Sequence, residues 1–149
     1  MPEKQTLDRA REDKREGKSA STQAGEFVRE EMHHIREGKH GAVSSKQAIA
    51  IGLSKARRAG VKLPAPRAGS ISPETRKKAA RDAQKGRSGS HGEVSKKRSR
   101  ATTQALKKEG RSAASRTALS RQARSAANRR GSSARHESAM KASRTRKAA

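Results

Sequence analysis

Cysteine, tryptophan and tyrosine are missing from the 149-residue chain, and phenylalanine occurs once. Without cysteine there is no disulfide framework and no thiolate metal site, and a reducing compartment is compatible with the composition. Without Trp or Tyr, and with Phe27 set in a helical apolar pattern, the stacking platforms for single-stranded bases are missing. No apolar run approaches the roughly 20 residues of a membrane span. The opening MPEKQTLDRARED lacks the apolar segment of a signal peptide. The expectation is a soluble, cytoplasmic protein with no membrane partner. Leu, Ile, Val and Phe number 14 together, under a tenth of the chain. Strongly charged chains with less than roughly 20% of these residues are expected to be disordered. Alanine, with 26 residues, favours helix but adds little core volume. A single large globular core is excluded.

What the chain does have is positive charge, with a formal net of +24, so the expected partner is a polyanion. The charge is unevenly placed. Residues 1–66 hold 14 basic and 9 acidic side chains, whereas residues 67–149 hold 24 and 5.

The large apolar residues concentrate between Glu26 and Leu63, where they recur at helical spacing. Val28, Met32 and Ile35 stand at i, i+4 and i+7 beside Phe27; Ile49, Leu53 and Ala56 repeat the pattern. Gly38-Lys-His-Gly41 separates the two runs. Ser44, with Gln47 three residues on, makes a capping-box pattern, and Gly60 can close the second helix in a left-handed conformation. Two helices of about 14 residues each, folded back as a hairpin, are predicted. Ala48, Gly52 and Ala56 form a row of small residues that lets a neighbouring backbone come close. Ile51 falls off that face and marks a second contact surface. The hairpin holds too few large apolar side chains to be stable alone. It is therefore expected to form a homodimer, or to pack on the N-terminal arm or a partner.

Four segments follow: a charged arm at 1–20, the hairpin domain at 21–63, a linker with a short helix at 64–94, and a basic low-complexity tail at 95–149. In the arm, residues 4–16 can form a solvated helix capped by Thr6 and stopped by Gly17. Ser72-Pro73 is an N-cap and N1 pair for a helix running to Lys85, and Gly86 to Gly92 is a Gly/Ser-rich break. In the tail, Arg111-Ser-Ala-Ala114 recurs as Arg124-Ser-Ala-Ala127, a period too short and polar for a solenoid. The predicted fold class is mostly α: a small helical hairpin with a largely disordered, helix-prone basic C-terminal tail.

The tail carries the strongest functional signal, because Lys- and Arg-rich segments bind nucleic acid by neutralising phosphates and releasing counterions. Its candidate contacts are Lys96, Lys97, Arg98, Arg100, Lys107, Lys108, Arg111, Arg116, Arg121, Arg124, Arg129 and Arg130. So repetitive a segment is not suited to reading bases. The bland alternative is a solvated segment that only confers solubility. A smaller basic group, Lys46, Lys55, Arg57, Arg58 and Lys62, accompanies the second hairpin helix and can face a major groove. Arg57 and Arg58 serve equally as cations at a helix C-terminus. His33, His34 and His40 lie near Glu30 and Glu37, but no HExxH or paired Cys supports a metal site, so these histidines are read as surface residues bonded to glutamates. The stripe Glu26, Glu30 and Glu37 can attract the chain's own tail. No nucleophile, base and orienter assemble, so no enzyme activity, cofactor, metal or small-molecule substrate is expected.

The run Ser44-Ser-Lys-Gln-Ala-Ile-Ala-Ile-Gly-Leu-Ser-Lys-Ala-Arg57, after Glu37-Gly-Lys-His40, resembles a family of small uncharacterised bacterial proteins sharing an S-x-K-Q-A-I-A-I-x-L-S-x-A segment. The resemblance covers about 35 residues. It implies helices and a bacterial source, with no activity or ligand attached. Some such proteins are labelled plasmid-stabilisation proteins. The tail is similar to bacterial linker-histone-like basic tails, though it has more Arg and Ser and lacks Lys-Pro-Ala repeats. These features converge on a non-enzymatic, nucleoid-associated protein that binds duplex DNA without sequence preference. The alternatives are an RNA- or ribosome-associated accessory protein, and a protein-binding adaptor, for instance in plasmid maintenance.

Overall fold

The computed structural model describes residues 1–66, 69, 71–89 and 95–148. Among the described residues six helices follow in chain order: α1 (Lys4–Arg15), α2 (Ala20–Arg36), α3 (Ser45–Arg58), α4 (Pro73–Ser88), α5 (Lys96–Lys107) and α6 (Arg116–Ala148). A 3₁₀ turn, Ser112–Ala114, precedes α6. The chain is mostly α, as its composition implies.

The α2–α3 hairpin is the centre of the fold, and its ends are set by local chemistry. Ser19 Oγ accepts from Thr22 N–H at 3.3 Å and caps α2. Ser44 Oγ accepts from Gln47 N–H at 3.3 Å and caps α3. The Gln47 amide oxygen reaches one residue beyond the cap, accepting from Val43 N–H at 2.8 Å. Gly60, at φ +90°, follows α3 in the left-handed region. The small-residue row brings the two helices together as its pattern implies. A Cβ on Gly52 would lie 2.7 Å from Val28 Cα, so α2 crosses α3 where only glycine fits.

Two apolar clusters flank the crossing. In one, Phe27 and Ala24 of α2 meet Ala56 of α3 and Ala10 of α1, with Leu7, Leu53, Val61 and Leu63 around them. The arm is thus not the solvated helix expected from its alternating charges. It packs on α2, which supplies part of the cover the hairpin needs. Thr6 is not its cap either: α1 starts at Lys4, and Thr6 is buried inside it.

The other cluster corrects the largest expectation. Met32, Ile35, Ala42 and Ala48 pack with Ala113 and Ala114, and Val28, Ile49 and Leu119 lie against them. The C-terminal half therefore takes part in the core. It is also tied by hydrogen bonds: Gly41 N–H donates to Leu106 C=O (2.8 Å) and Ala42 N–H to Gly110 C=O (3.2 Å). Ser45 Oγ donates to Ala113 C=O at 2.6 Å, and Arg36 Nε to Ala114 C=O at 3.0 Å. Ser115 Oγ then accepts from Ala118 N–H at 3.2 Å and starts α6. The largely disordered tail read from composition is contradicted by this long helix. Its alanines supply helix propensity, and its first turn is anchored by Ala113, Ala114 and Leu119. α6 is interrupted once, at Gly131 (φ 79°, ψ 173°).

The linker helix starts as expected, with Ser72 Oγ accepting from Thr75 N–H at 3.3 Å and Pro73 in the first turn. It does not stop at Lys85. α4 continues through Gly86 to Ser88 and is closed by Gly89 at φ +61°. Residues 90–92 of the expected break lie outside the described residues. α4 packs on α3, where Ser54 Oγ donates to Asp82 Oδ2 at 2.6 Å. α3 thus has a second packed face, against α4; Ile51, which marked one in the sequence, is half-buried.

Candidate nucleic-acid interface

Once Leu119 is turned into the core, the helical repeat decides which residues α6 shows to solvent. Arg116, Ser120 and Arg124 recur every four residues and share one face, with Arg121 beside them. All four are exposed. Two open depressions run along this surface. The first, about 460 Å³, is lined by Arg36, Arg111, Ala114, Ser115 and Arg116. The second, about 500 Å³, shares Arg116 and adds Thr117, Ser120, Arg121 and Arg124. The five arginines thus follow one path from the end of α2 onto α6. Among the described residues none of them forms an ion pair.

Arg36 is the member that composition and tail charge did not single out. It stands in the last turn of α2, and the Nε bond to Ala114 C=O brings it beside Arg111 and Arg116. Its position before the Gly38 turn was the only available signal, and that signal is weak without the docked 3₁₀ turn.

The remaining tail candidates, Lys96, Lys97, Arg98, Arg100, Lys107, Lys108, Arg129 and Arg130, are exposed. The smaller basic group does not hold together. Lys46, Arg58 and Lys62 are exposed, and Arg58 Nε lies 3.6 Å from Asp82. Arg57 is buried, 8% exposed, with Nη2 donating to Pro64 C=O at 3.5 Å and Nε left without a partner. Burial pushes its guanidinium below the usual range, and the Asp82 charge offsets part of that. Lys55 is turned inward, 2.7 Å from Glu31 Oε2 and 3.2 Å from Glu30 Oε1. Neither Lys55 nor Arg57 can meet a phosphate in this arrangement.

A model for a family of unknown function (DUF6496) matches residues 13–67. The match spans the last turn of α1, the whole α2–α3 hairpin and the segment after it, and ends before α4. It takes in Arg36 and stops short of Arg111, Arg116, Arg121 and Arg124. Comparison with curated proteins and with solved structures returned no match.

The hairpin also carries a second, buried constellation, of carboxylates and histidines. Glu30 and Glu31 are 3% and 1% exposed. Glu30 Oε2 accepts from Glu3 N–H at 3.0 Å. Burial pushes the Glu30 carboxyl up, but the Glu3 amide, the Thr6 hydroxyl and the Lys55 ammonium together outweigh it and hold the carboxyl low. His40 Nε2 lies 3.0 Å from Glu31 Oε1, and its Nδ1 lies 3.0 Å from Gly41 C=O. His34 Nε2 lies 2.9 Å from Glu3 Oε1. His34 and His40 lie against glutamates as their pattern implies but are half-buried, each side chain 14% exposed, whereas His33 is exposed. The acidic stripe is not held by the tail: Glu26 pairs with Arg9, Glu30 with Lys55, and Glu37 with Lys39. No described residue of 95–148 forms an ion pair with it.

Proposed function

We propose that this is a non-enzymatic, nucleoid-associated protein that binds duplex DNA without reading its sequence. The observation that carries the reading is the path of Arg36, Arg111, Arg116, Arg121 and Arg124. Among the described residues its cations have no acidic neighbours in ion-pair contact, whereas the acids of the hairpin are matched locally by Arg9, Lys39 and Lys55. Unneutralised cations on a rigid surface keep their full attraction for phosphates, and releasing counterions from the duplex supplies most of the affinity. Arg116 and Arg124 stand about 12 Å apart along the axis, a spacing set by the helix before any ligand arrives. Further contacts come from Arg129 and Arg130 and from the exposed basic residues of α5. No aromatic side chain is present on this surface for stacking on bases.

The test is retention of the full chain on a mixed-sequence duplex across a salt series. With about six phosphates engaged, affinity should fall roughly a thousandfold between 50 and 200 mM salt. Replacing Arg116, Arg121 and Arg124 together by Gln should flatten the log–log slope by about 2.7, near 0.9 per lost contact. Substitution is a cleaner test than cutting the chain after residue 66. Such a cut also removes Ala113, Ala114 and Leu119 from the core. A slope unchanged in the triple variant would refute the reading, and a strong preference for structured RNA over the duplex would move it to the RNA class.

A further inference from the structure

The buried constellation on the hairpin has a charge imbalance. Glu30 and Glu31 are both interior, and Lys55 is the one ammonium reaching them among the described residues, at 3.2 and 2.7 Å. The Glu3 amide and Thr6 hydroxyl supply hydrogen bonds to Glu30 but no positive charge. One carboxylate charge is left over, and interior charges are held only when paired. The group placed to answer it is His40, whose two ring nitrogens both face oxygen acceptors, Glu31 Oε1 and Gly41 C=O. Nε2 is the nitrogen that meets the Glu31 carboxylate, at 3.0 Å. A metal cation in place of the Nε2 proton satisfies the same need.

We infer that Glu31, His34 and His40 form a site for a divalent transition-metal ion of the Zn²⁺ class, held by two imidazoles and one carboxylate. The three side chains each offer a ligand atom, and these atoms lie within 4.8 Å of one another. A tetrahedral ion with bonds near 2.1 Å holds its ligands about 3.4 Å apart, so closing the site takes about 1 Å of side-chain movement.

The surroundings match what such a site requires. A ligating histidine normally donates its other ring N–H to a carbonyl or carboxylate, which fixes tautomer and orientation. For His40 that partner is Gly41 C=O, which leaves Nε2 directed at Glu31. For His34 it is the Glu3 carboxylate, which engages one nitrogen and leaves the other to ligate. Lys55 takes Glu31 Oε2, so Oε1 is the oxygen available to an ion. The two rings meet edge to face at 6.0 Å. An opening of about 250 Å³ reaches His34 beside Glu3, Thr6, Glu30 and Lys39, though neither Glu31 nor His40 lines it. The ion would bridge α2 and the turn before α3. That turn is the one whose Gly41 and Ala42 amides hold residues 106–110. Its role would be structural, locking the platform on which α6 is seated.

The experiment uses the metal-free full chain. Zn²⁺ titration against a chromophoric chelator should give one tight equivalent, and Tm should rise with Zn²⁺ because the ion binds only the folded state. Co²⁺ should give the intense visible bands of a four-coordinate site. His40→Ala and His34→Ala should each weaken binding about a hundredfold, at or above what losing an outer-sphere partner costs. His136→Ala, on exposed α6, should leave it unchanged. Circular dichroism shows which variants keep their helices, and the unmodified chain decides the matter if they do not. The absence of a one-to-one complex, a six-coordinate Co²⁺ spectrum, or full affinity in folded His40→Ala and His34→Ala proteins would each overturn the assignment.

Discussion

Gly41→Ala is expected to unseat the basic half of the molecule from the hairpin. A Cβ at this position would overlap the Glu109 carbonyl oxygen, a backbone atom that cannot swing away as a side chain can. The approach is that close because Gly41 and Ala42 donate their amides to Leu106 and Gly110. Moving the 106–110 segment to make room breaks both bonds, at about 1 kcal/mol each, on top of about 1–3 kcal/mol for overpacking. The loss should be regional. Amide exchange should quicken at residues 42, 114 and 119, while α1 and the middle of α2 keep their protection. Electrophoretic retention on DNA should weaken less than exchange protection does, since the arginines remain on the chain. Wild-type exchange throughout, with wild-type Tm, would show that this contact does not hold the two halves together.

Lys55→Met should be the most damaging single change in the hairpin. It keeps most of the length of the side chain and removes the only ammonium that reaches Glu30 and Glu31 among the described residues. Breaking a buried pair by deleting one partner typically costs about 3–5 kcal/mol, because the other charge stays behind. For a unit of this size that lowers Tm by more than about 10 °C. The same substitution separates two roles for a basic residue. Lys55 faces inward, so the salt dependence of the proposed DNA binding should be unchanged in Lys55→Met at a temperature where the variant is folded. A flattened slope would mean that Lys55 reaches phosphate after all. Replacing Glu30 and Glu31 by Gln in the Lys55→Met background should recover much of the lost stability, since the stranded charges are gone.

The parts of the fold that were legible in the sequence are those governed by neighbours in the chain. Ser44 and Gln47 mark the start of α3, Ser72 and Pro73 the start of α4, and Gly60 the end of α3, because capping is settled within four residues. Gly52 between Ala48 and Ala56 announced a close helix crossing for the same reason. What was not legible depends on residues far apart. Arg111-Ser-Ala-Ala114 and Arg124-Ser-Ala-Ala127 are the same four letters, yet the first holds a buried 3₁₀ turn and the second lies half-exposed in a helix. Only the first meets Arg36, Ser45 and Ala48. Alanine adds little to a count of large apolar residues, so a core sealed by Ala113 and Ala114 reads as low complexity. Arg57 and Lys55 misled in the opposite direction, since a basic residue on a short helix looks solvated until its neighbours are known. The candidate site was legible in its charge and not in its geometry: the tail arginines were read from composition, whereas Arg36 and the meeting of Glu31 with His40 needed the folded chain.

The interruption of α6 at Gly131 bears on how far the protein reaches. At φ 79° and ψ 173° the backbone occupies a region open to glycine and closed to other residues, with nothing within 4 Å of where a Cβ would sit. The direction taken by the second half of that helix is therefore written in a single missing methyl group. An alanine there would return the backbone to the ordinary helical well and straighten 33 residues into one rod about 50 Å long. Arg135, Lys141 and Arg144 would then ride on the same axis as Arg116, and a bent arm would become a pole.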